Sequence, residues 1–255
     1  MAKIIFISGA TAGFGKATAE KFAANGYQLI LNGRRVDRLK QLKETLERKY
    51  NSQVYILPFD VQVQKEVFDA FNSLPSEWQK IDVLVNNAGL ALGRHYSEEA
   101  ELADWETMID TNLKGLLYVT KAALPFMTPN KQGHIINIGS TAAKDVYEKG
   151  NVYCATKAAV DSISKGMRID LLRHNIKVTA IHPGAAETEF SMVRFKGDEA
   201  TAKNVYEGYK PLSAEDVADV IYYCTTLPPH VCINDLVVTA TQQANSIYLV
   251  KDAQQ

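Results

Sequence analysis

Short apolar or β-branched runs alternate with longer stretches of helical spacing along the whole chain, and that alternation leaves few folds open. The strand-like runs are 3–8, 27–32, 53–58, 81–86, 134–139, 177–182 and 233–239. Between them, sets such as Leu39, Leu42, Leu46 and Val67, Ala70, Phe71 recur every three or four residues, the period of an amphipathic helix. Strand, helix, strand in series makes right-handed crossovers, which lay helices over both faces of a parallel sheet. The expected fold is α/β, a doubly wound sandwich with a seven-stranded parallel sheet. In such sheets ligands bind beyond the carboxyl ends of the strands, so any site proposed from sequence must map there.

Composition narrows the function classes. With 255 residues, 46% of them hydrophobic, and no linker, repeat or low-complexity tract, the chain reads as one domain over 1–255. Lys and Arg number 28 against 29 Asp and Glu, so there is no footprint for nucleic acid or an anionic membrane, and a small ligand is the expected partner. The apolar run at 4–7 is too short for a signal peptide or a span, which makes the cytoplasm the expected location. Cys154, Cys224 and Cys232 have no paired metal spacing; they are expected to be reduced, and no metal is expected.

The first strand runs straight into Ser8, Gly9, Ala10, Thr11, Ala12, Gly13, Phe14 and Gly15, after which helical spacing continues to Phe22. A glycine turn between strand and helix lets a pyrophosphate approach free amides at the positive end of a helix dipole. The spacing is GxxxGxG, not the GxGxxG of the general dinucleotide fingerprint. Cofactor choice is read at the end of the second strand, where an acid would bind an unmodified ribose. Here stand Asn32, Gly33, Arg34 and Arg35, two guanidiniums and no acid. Arginine matches a phosphate with paired, charge-assisted bonds, so the expected cofactor is NADP(H).

Tyr153 and Lys157 are four residues apart, hence on one face of a helix. The spacing alone selects nothing, because Tyr206 and Lys210 repeat it. Context separates the pairs: thirteen residues before Tyr153, Ser140 follows the apolar run at 134–139, whereas the same offset from Tyr206 falls on Val193. Further marks are Asn86 to Gly89 after the fourth strand, Asn112 inside a helical pattern, and Pro183-Gly184 after the sixth strand.

With these elements the chain resembles the short-chain dehydrogenase/reductase family along nearly its whole length, a family with a Rossmann-type fold. The resemblance rests on the GxxxGxG turn, Asp60-Val61, Asn87-Ala88-Gly89, Asn112, Ser140, the YxxxK pair and Pro183-Gly184; Ser8 departs mildly, standing where many members have threonine. It implies catalytic roles for Asn112, Ser140, Tyr153 and Lys157. Ser140 would bond the substrate oxygen, Tyr153 exchange the proton, Lys157 bind the nicotinamide ribose and, with a cationic nicotinamide, lower the phenol's pKa from its ordinary value of about 10, and Asn112 hold a relay water. A mid-helix asparagine could instead satisfy local backbone groups. Cofactor contacts are implied for Gly9, Ala10, Thr11, Gly13, Phe14, Gly15, Arg34, Arg35, Asp60, Val61, Asn87, Ala88, Gly89, Tyr153, Lys157, Pro183, Gly184 and Thr188.

Substrate choice is expected in the long connection at about 184–212. Its TEFSMVRFKGD stretch, with GATAGFG, NGRR, NIGST, GNVYCATK and TLPPHVCIN, is similar to the subgroup of NADP-dependent 3-hydroxy acid dehydrogenases. That implies serine, allo-threonine, 3-hydroxypropionate or related acids as substrates, with their semialdehydes in reverse. Arg194, then Lys196, is the expected partner of the carboxylate, against the plain alternative of a surface arginine paired with Glu189 or Asp198. Ser140, Tyr147 and Tyr153, with Arg94 and His95, are further expected pocket residues. Reduction of another small aldehyde such as sulfoacetaldehyde, and dinucleotide sensing without turnover, are the rival readings. The family also implies a homotetramer, with the last strand and the apolar tail at 244–255 in subunit contacts.

Overall fold

The computed structural model describes residues 2–252. Its strands are β1 (Ile4–Ile7), β2 (Gln28–Leu31), β3 (Val54–Ile56), β4 (Ile81–Asn86), β5 (Gly133–Ile138), β6 (Ile176–Pro183) and β7 (Asp235–Val238), each within two residues of its expected bounds. The helices are α1 (Gly13–Ala24), α2 (Val36–Tyr50), α3 (Gln64–Asn72), α4 (Leu102–Ile109), α5 (Leu116–Ala123), α6 (Asn151–Leu171), α7 (Phe190–Arg194), α8 (Glu199–Asn204) and α9 (Ala214–Thr226). All neighbouring strands run parallel in one sheet of order β3-β2-β1-β4-β5-β6-β7. The order reverses between β1 and β4, so the loops leaving those two strands part and open a crevice at the carboxyl edge.

Every central strand is apolar on both sides because both sides are covered. Ile5 and Ile7 pack under α1, α2 and α9, against Phe22, Leu39, Leu46, Val217 and Ile221. Ile4 and Phe6 point the other way, onto Val67 and Phe71 of α3, Val119 of α5 and Leu171 of α6. A polar chain crosses this core: Asn86 Nδ2 donates to Thr120 Oγ1 and Asn137 Oδ1, both at 2.8 Å, and Asn137 Nδ2 to Ser164 Oγ at 2.9 Å. These bonds fix β4 and β5 to the helices above them. A capping box starts α9, with Asp216 N donating to Ser213 Oγ and Ser213 N to Asp216 Oδ2.

His134 of β5 is buried, and its Nε2 lies 2.7 Å from Thr179 Oγ1. The Thr179 hydroxyl donates to Ile233 O, so it accepts from His134, whose ring is neutral. Burial, reinforced by the Lys177 ammonium, pushes the His134 pKa down to about 3. The unfolded chain, with an ordinary pKa near 6.5, binds a proton that the folded chain refuses. Stability from this group is therefore complete above about pH 6.5 and falls as pH drops toward 3, by up to roughly 5 kcal/mol. Urea midpoints measured through that window should fall more steeply for the natural chain than for His134→Gln; parallel curves would refute the assignment.

Candidate active site

The loops at the carboxyl ends of the strands enclose a cleft of about 1040 Å³. Its wall includes Gly9, Thr11, Gly13 and Phe14 after β1, Arg34 and Arg35 after β2, and Asp60 and Val61 after β3. Asn87, Ala88 and Gly89 follow from β4, Ser140 from β5, Pro183, Gly184 and Thr188 from β6, and Tyr147, Tyr153, Lys157 and Arg194 complete it. Three expected residues stand behind this wall: Ala10 and Gly15 in the turn itself, and Asn112 beneath Gly89.

The turn after β1 is built to bring backbone close to something. Gly13 has φ +50°, where a side chain is strained, and a Cβ on Gly15 would fall on the carbonyl oxygen of Gly9. No side chain caps α1 and no acid stands in its first turn, so its leading amides and dipole are free for an anion. Ser8 Oγ accepts from the amides of Asn87 and Ala88, both at 3.0 Å, and Asn87 Nδ2 donates to Ser8 O and Gly9 O. The serine thus stitches the β1 and β4 turns together, a task for a hydroxyl that threonine would share.

At the β2 end, Arg35 donates from Nε and a terminal nitrogen to Thr11 Oγ1, at 3.2 and 2.9 Å. Arg34 lies 3.4 Å from Asp60. Glu189, arriving from the loop after β6, pairs with Arg35 at 3.0 Å and with Arg38 at 2.7 Å. Arg38 was not singled out from sequence, since it sits in a helical pattern like any solvated charge. These three guanidiniums gather at the β2 end, and with the glycine cradle they fit a dinucleotide carrying an additional phosphate.

The reacting end of the cleft is formed by α6 and the β5 turn. Tyr153 and Lys157 lie on one face of α6, 8% and 6% exposed. Lys157 Nζ donates to Ile138 O at 2.9 Å and keeps two hydrogens for other partners. Burial lowers its pKa to about 8. Ser140 Oγ accepts from Ala142 N at 3.1 Å, which leaves its own hydrogen to donate. Burial pushes the Tyr153 phenol up, well above the ordinary value. The nearby Tyr147 adds to the rise, while the Ser140 hydroxyl and the Arg194 guanidinium oppose it. Lys157 points toward the Ile138 carbonyl, and desolvation outweighs the charges that would favour a phenolate.

Across these loops, a family model described as short chain dehydrogenase matches residues 3–199. The chain belongs to that family. An NADP-dependent 3-hydroxy acid dehydrogenase of Escherichia coli (strain K12) is 47% identical over 242 residues, 94% of this chain and 96% of that protein. Sulfoacetaldehyde reductase 2 of Chromohalobacter salexigens is 45% identical over 251 residues, 98% and 99% of the two chains. The closed form of a serine dehydrogenase complexed with NADP+ superposes with a TM-score of 0.92 at 45% identity, over 98% of this chain and 100% of that one.

Within this short-chain dehydrogenase, Asn112 sits in a π-helical turn, Asp110–Gly115, that interrupts the run from α4 into α5. Its amide clamps Leu90, accepting from N and donating to O at 2.8 Å each, and donates to Thr156 Oγ1 at 3.1 Å. A wider turn leaves backbone carbonyls without their usual partners, which no propensity rule announces. A Cβ on Gly89 would stand 3.2 Å from Asn112 Oδ1 and 3.4 Å from Lys157 Nζ, so the three residues converge. The duplicate pair separates cleanly: Tyr206 and Lys210 follow the end of α8, Lys210 is exposed, and the Tyr206 hydroxyl donates to Ala186 O.

Arg194, the last residue of α7, turns into the cleft. One terminal nitrogen donates to Tyr147 OH at 2.9 Å, and the guanidinium carbon lies 5.5 Å from the ring centres of both Tyr147 and Tyr153. Its Nε is buried without a partner among the described residues. The surface alternative fails, since Glu189 is taken by Arg35 and Arg38 and Asp198 caps α8 through Thr201. Lys196 pairs with Asp104 at 2.8 Å, outside the cleft, and exposed His95 does not line it, while Arg94 does, stacked on Tyr147. Gln243, also missed from sequence, lines the cleft and accepts from Ala185 N at 2.8 Å. The tail folds back on its own chain, Asp252 N donating to Gly208 O at 2.6 Å; residues 253–255 lie outside the described ones.

Proposed function

We propose that the chain is an NADP(H)-dependent oxidoreductase interconverting a short 3-hydroxy acid, of the serine, allo-threonine or 3-hydroxypropionate type, and its 3-oxo acid or semialdehyde. The observation that carries the substrate class is Arg194: a guanidinium held over Tyr153, with a buried N–H left unpaired, is a ready partner for a small carboxylate. The Escherichia coli relative's name and the serine dehydrogenase complex support the same class and the same cofactor.

Gly9 to Gly15 and the start of α1 would hold the pyrophosphate. Arg34 and Arg35 would take the 2′-phosphate, Asp60 and Val61 the adenine, Asn87 to Gly89 the adenosine ribose, and Pro183, Gly184 and Thr188 the nicotinamide. The cofactor supplies or accepts the hydride. Ser140 donates its free hydrogen to the substrate oxygen, and Arg194, with Tyr147 behind it, fixes the acid. In reduction Tyr153 gives its proton to that oxygen, a role its raised pKa suits; in oxidation it must first lose the proton. Lys157 would bind the nicotinamide ribose and favour the phenolate, and beside Asn112 under Gly89 it would pass the proton on. The enzyme is proposed to work in the cytoplasm as a homotetramer, with exposed Ile169 and Leu172 on and just beyond α6 among the apolar groups to be covered.

A sulfonate has the charge of a carboxylate, so sulfoacetaldehyde is the reading to beat. Turnover with NADPH and NADP+ should be highest on hydroxy acids and their semialdehydes, lower on sulfoacetaldehyde and lowest on neutral aldehydes. Arg194→Ala should raise KM for acids by about tenfold to a hundredfold, the cost of one charge-assisted contact, and leave KM for neutral aldehydes unchanged. A sulfonate preference, or an unmoved KM for acids, would sink the proposal; light scattering on the same sample tests the tetramer.

A further inference from the structure

Directly behind Ser140 stands a charged cluster that the reaction above does not use. His182, next to last in β6, is fully buried, and its ring lies so close to Gly139 that a Cβ there would collide with it. His182 Nδ1 is 3.2 Å from the Ser140 carbonyl oxygen. A carbonyl only accepts, so Nδ1 carries the hydrogen. The opposite nitrogen, Nε2, lies 3.5 Å from Asp161 Oδ1 and 3.4 Å from Asp235 Oδ1. Lys144, four residues past Ser140, closes the cluster with its ammonium 3.2 Å from Asp161 and 2.7 Å from Asp235. Lys165 pairs with the second oxygen of Asp161 at 2.8 Å. One imidazole and two carboxylates within 4.8 Å have the spacing of a metal site, but the cation they hold is the Lys144 ammonium.

What the cluster joins gives it meaning. Asp161 is one turn beyond Lys157 and two beyond Tyr153 on α6, while Ser140 and Lys144 flank the short turn after β5. The Ser140 backbone is held at two points, by Ala143 N donating to its carbonyl at 2.9 Å and by His182. Only the second ties it to a neighbouring strand, β6. We infer that His182 is a positioning residue, an Nδ1–H anchor on β6 that holds the Ser140 carbonyl and so sets the serine hydroxyl against the Tyr153 phenol. The inference rests on the reading that Ser140 bonds the substrate oxygen. Burial and the Lys144 ammonium lower the imidazole's pKa against the pull of Asp235 and Asp161, while the Ser140 carbonyl, an acceptor, calls for the hydrogen on Nδ1.

Two amides separate positioning from mere filling. Asparagine at 182 places an N–H where Nδ1–H stands, whereas glutamine reaches toward Nε2 and leaves the Ser140 carbonyl without that donor. His182→Asn, His182→Gln and Ser140→Ala are assayed together for kcat, KM for NADPH and melting temperature. His182→Gln should lose about tenfold to a hundredfold in kcat, the scale of a small misplacement, with KM for NADPH within about twofold, and His182→Asn should recover most of the loss. Equal kcat in the two amide variants, whatever their melting temperatures, would overturn the inference. If Ser140→Ala itself keeps full kcat, the role given to the serine falls and the anchor falls with it. A loss in Ser140→Ala with none in His182→Gln removes the anchor alone.

Discussion

Tyr153→Phe should lower kcat by about a thousandfold and leave NADPH affinity and melting temperature nearly unchanged. The ring is what packs: Phe190 lies 5.7 Å away and the Arg194 guanidinium carbon 5.5 Å, contacts that phenylalanine keeps. Only the hydroxyl is lost, and with it the one acid in the cleft set between Ser140 and Lys157. The raised phenol pKa adds a direction. Reduction needs the proton in place and should vary little around neutral pH, while oxidation needs the phenolate and should quicken as pH rises. Steady-state rates in both directions, with cofactor titration by fluorescence quenching, check this. Retention of more than about a tenth of kcat would remove Tyr153 from the proton step.

The double change Arg34→Ala, Arg35→Ala should cost about a hundredfold to a thousandfold in kcat/KM with NADPH and little with NADH. Two charge-assisted contacts to a phosphate are worth about 3–5 kcal/mol together in low salt. Both arginines are well exposed, 63% and 44% by side chain, so the difference should shrink as salt is raised. KM for the acid should rise as well, because Arg35 also holds Glu189, five residues before Arg194. The comparison is kcat/KM for the two cofactors at low and high salt; an undiminished NADPH preference would mean that Arg38 and the cradle read the phosphate alone.

The sheet was legible because period and length agree: runs such as 81–86 and 134–139 are too short for helices and flanked by turn residues, and β4 and β5 form there. Ser140, Tyr153 and Lys157 were legible because a strand end and one helix face bring them together over seventeen residues. What stayed hidden depends on distance along the chain. Glu189 finds Arg35 across 154 residues and Arg38 across 151, and no local pattern marks such a meeting. His182 and Asp235 looked like strand residues, and only the lateral order of β6 and β7 reveals that they share a charge cluster. The rise in the Tyr153 pKa stayed hidden for a related reason: sequence supplies the neighbouring charge but not the depth of burial.

The small helix α7 has Glu189 just before its first residue and Arg194 as its last. One end is tied to the arginines at the nucleotide mouth, the other leans over the tyrosine. It is a lever barely more than a turn long, with a handle at each end of the cleft. Whatever loosens the grip of Arg35 on Glu189 also shifts Arg194, so under the proposed function recognition of the cofactor and recognition of the substrate would hang on the same arm.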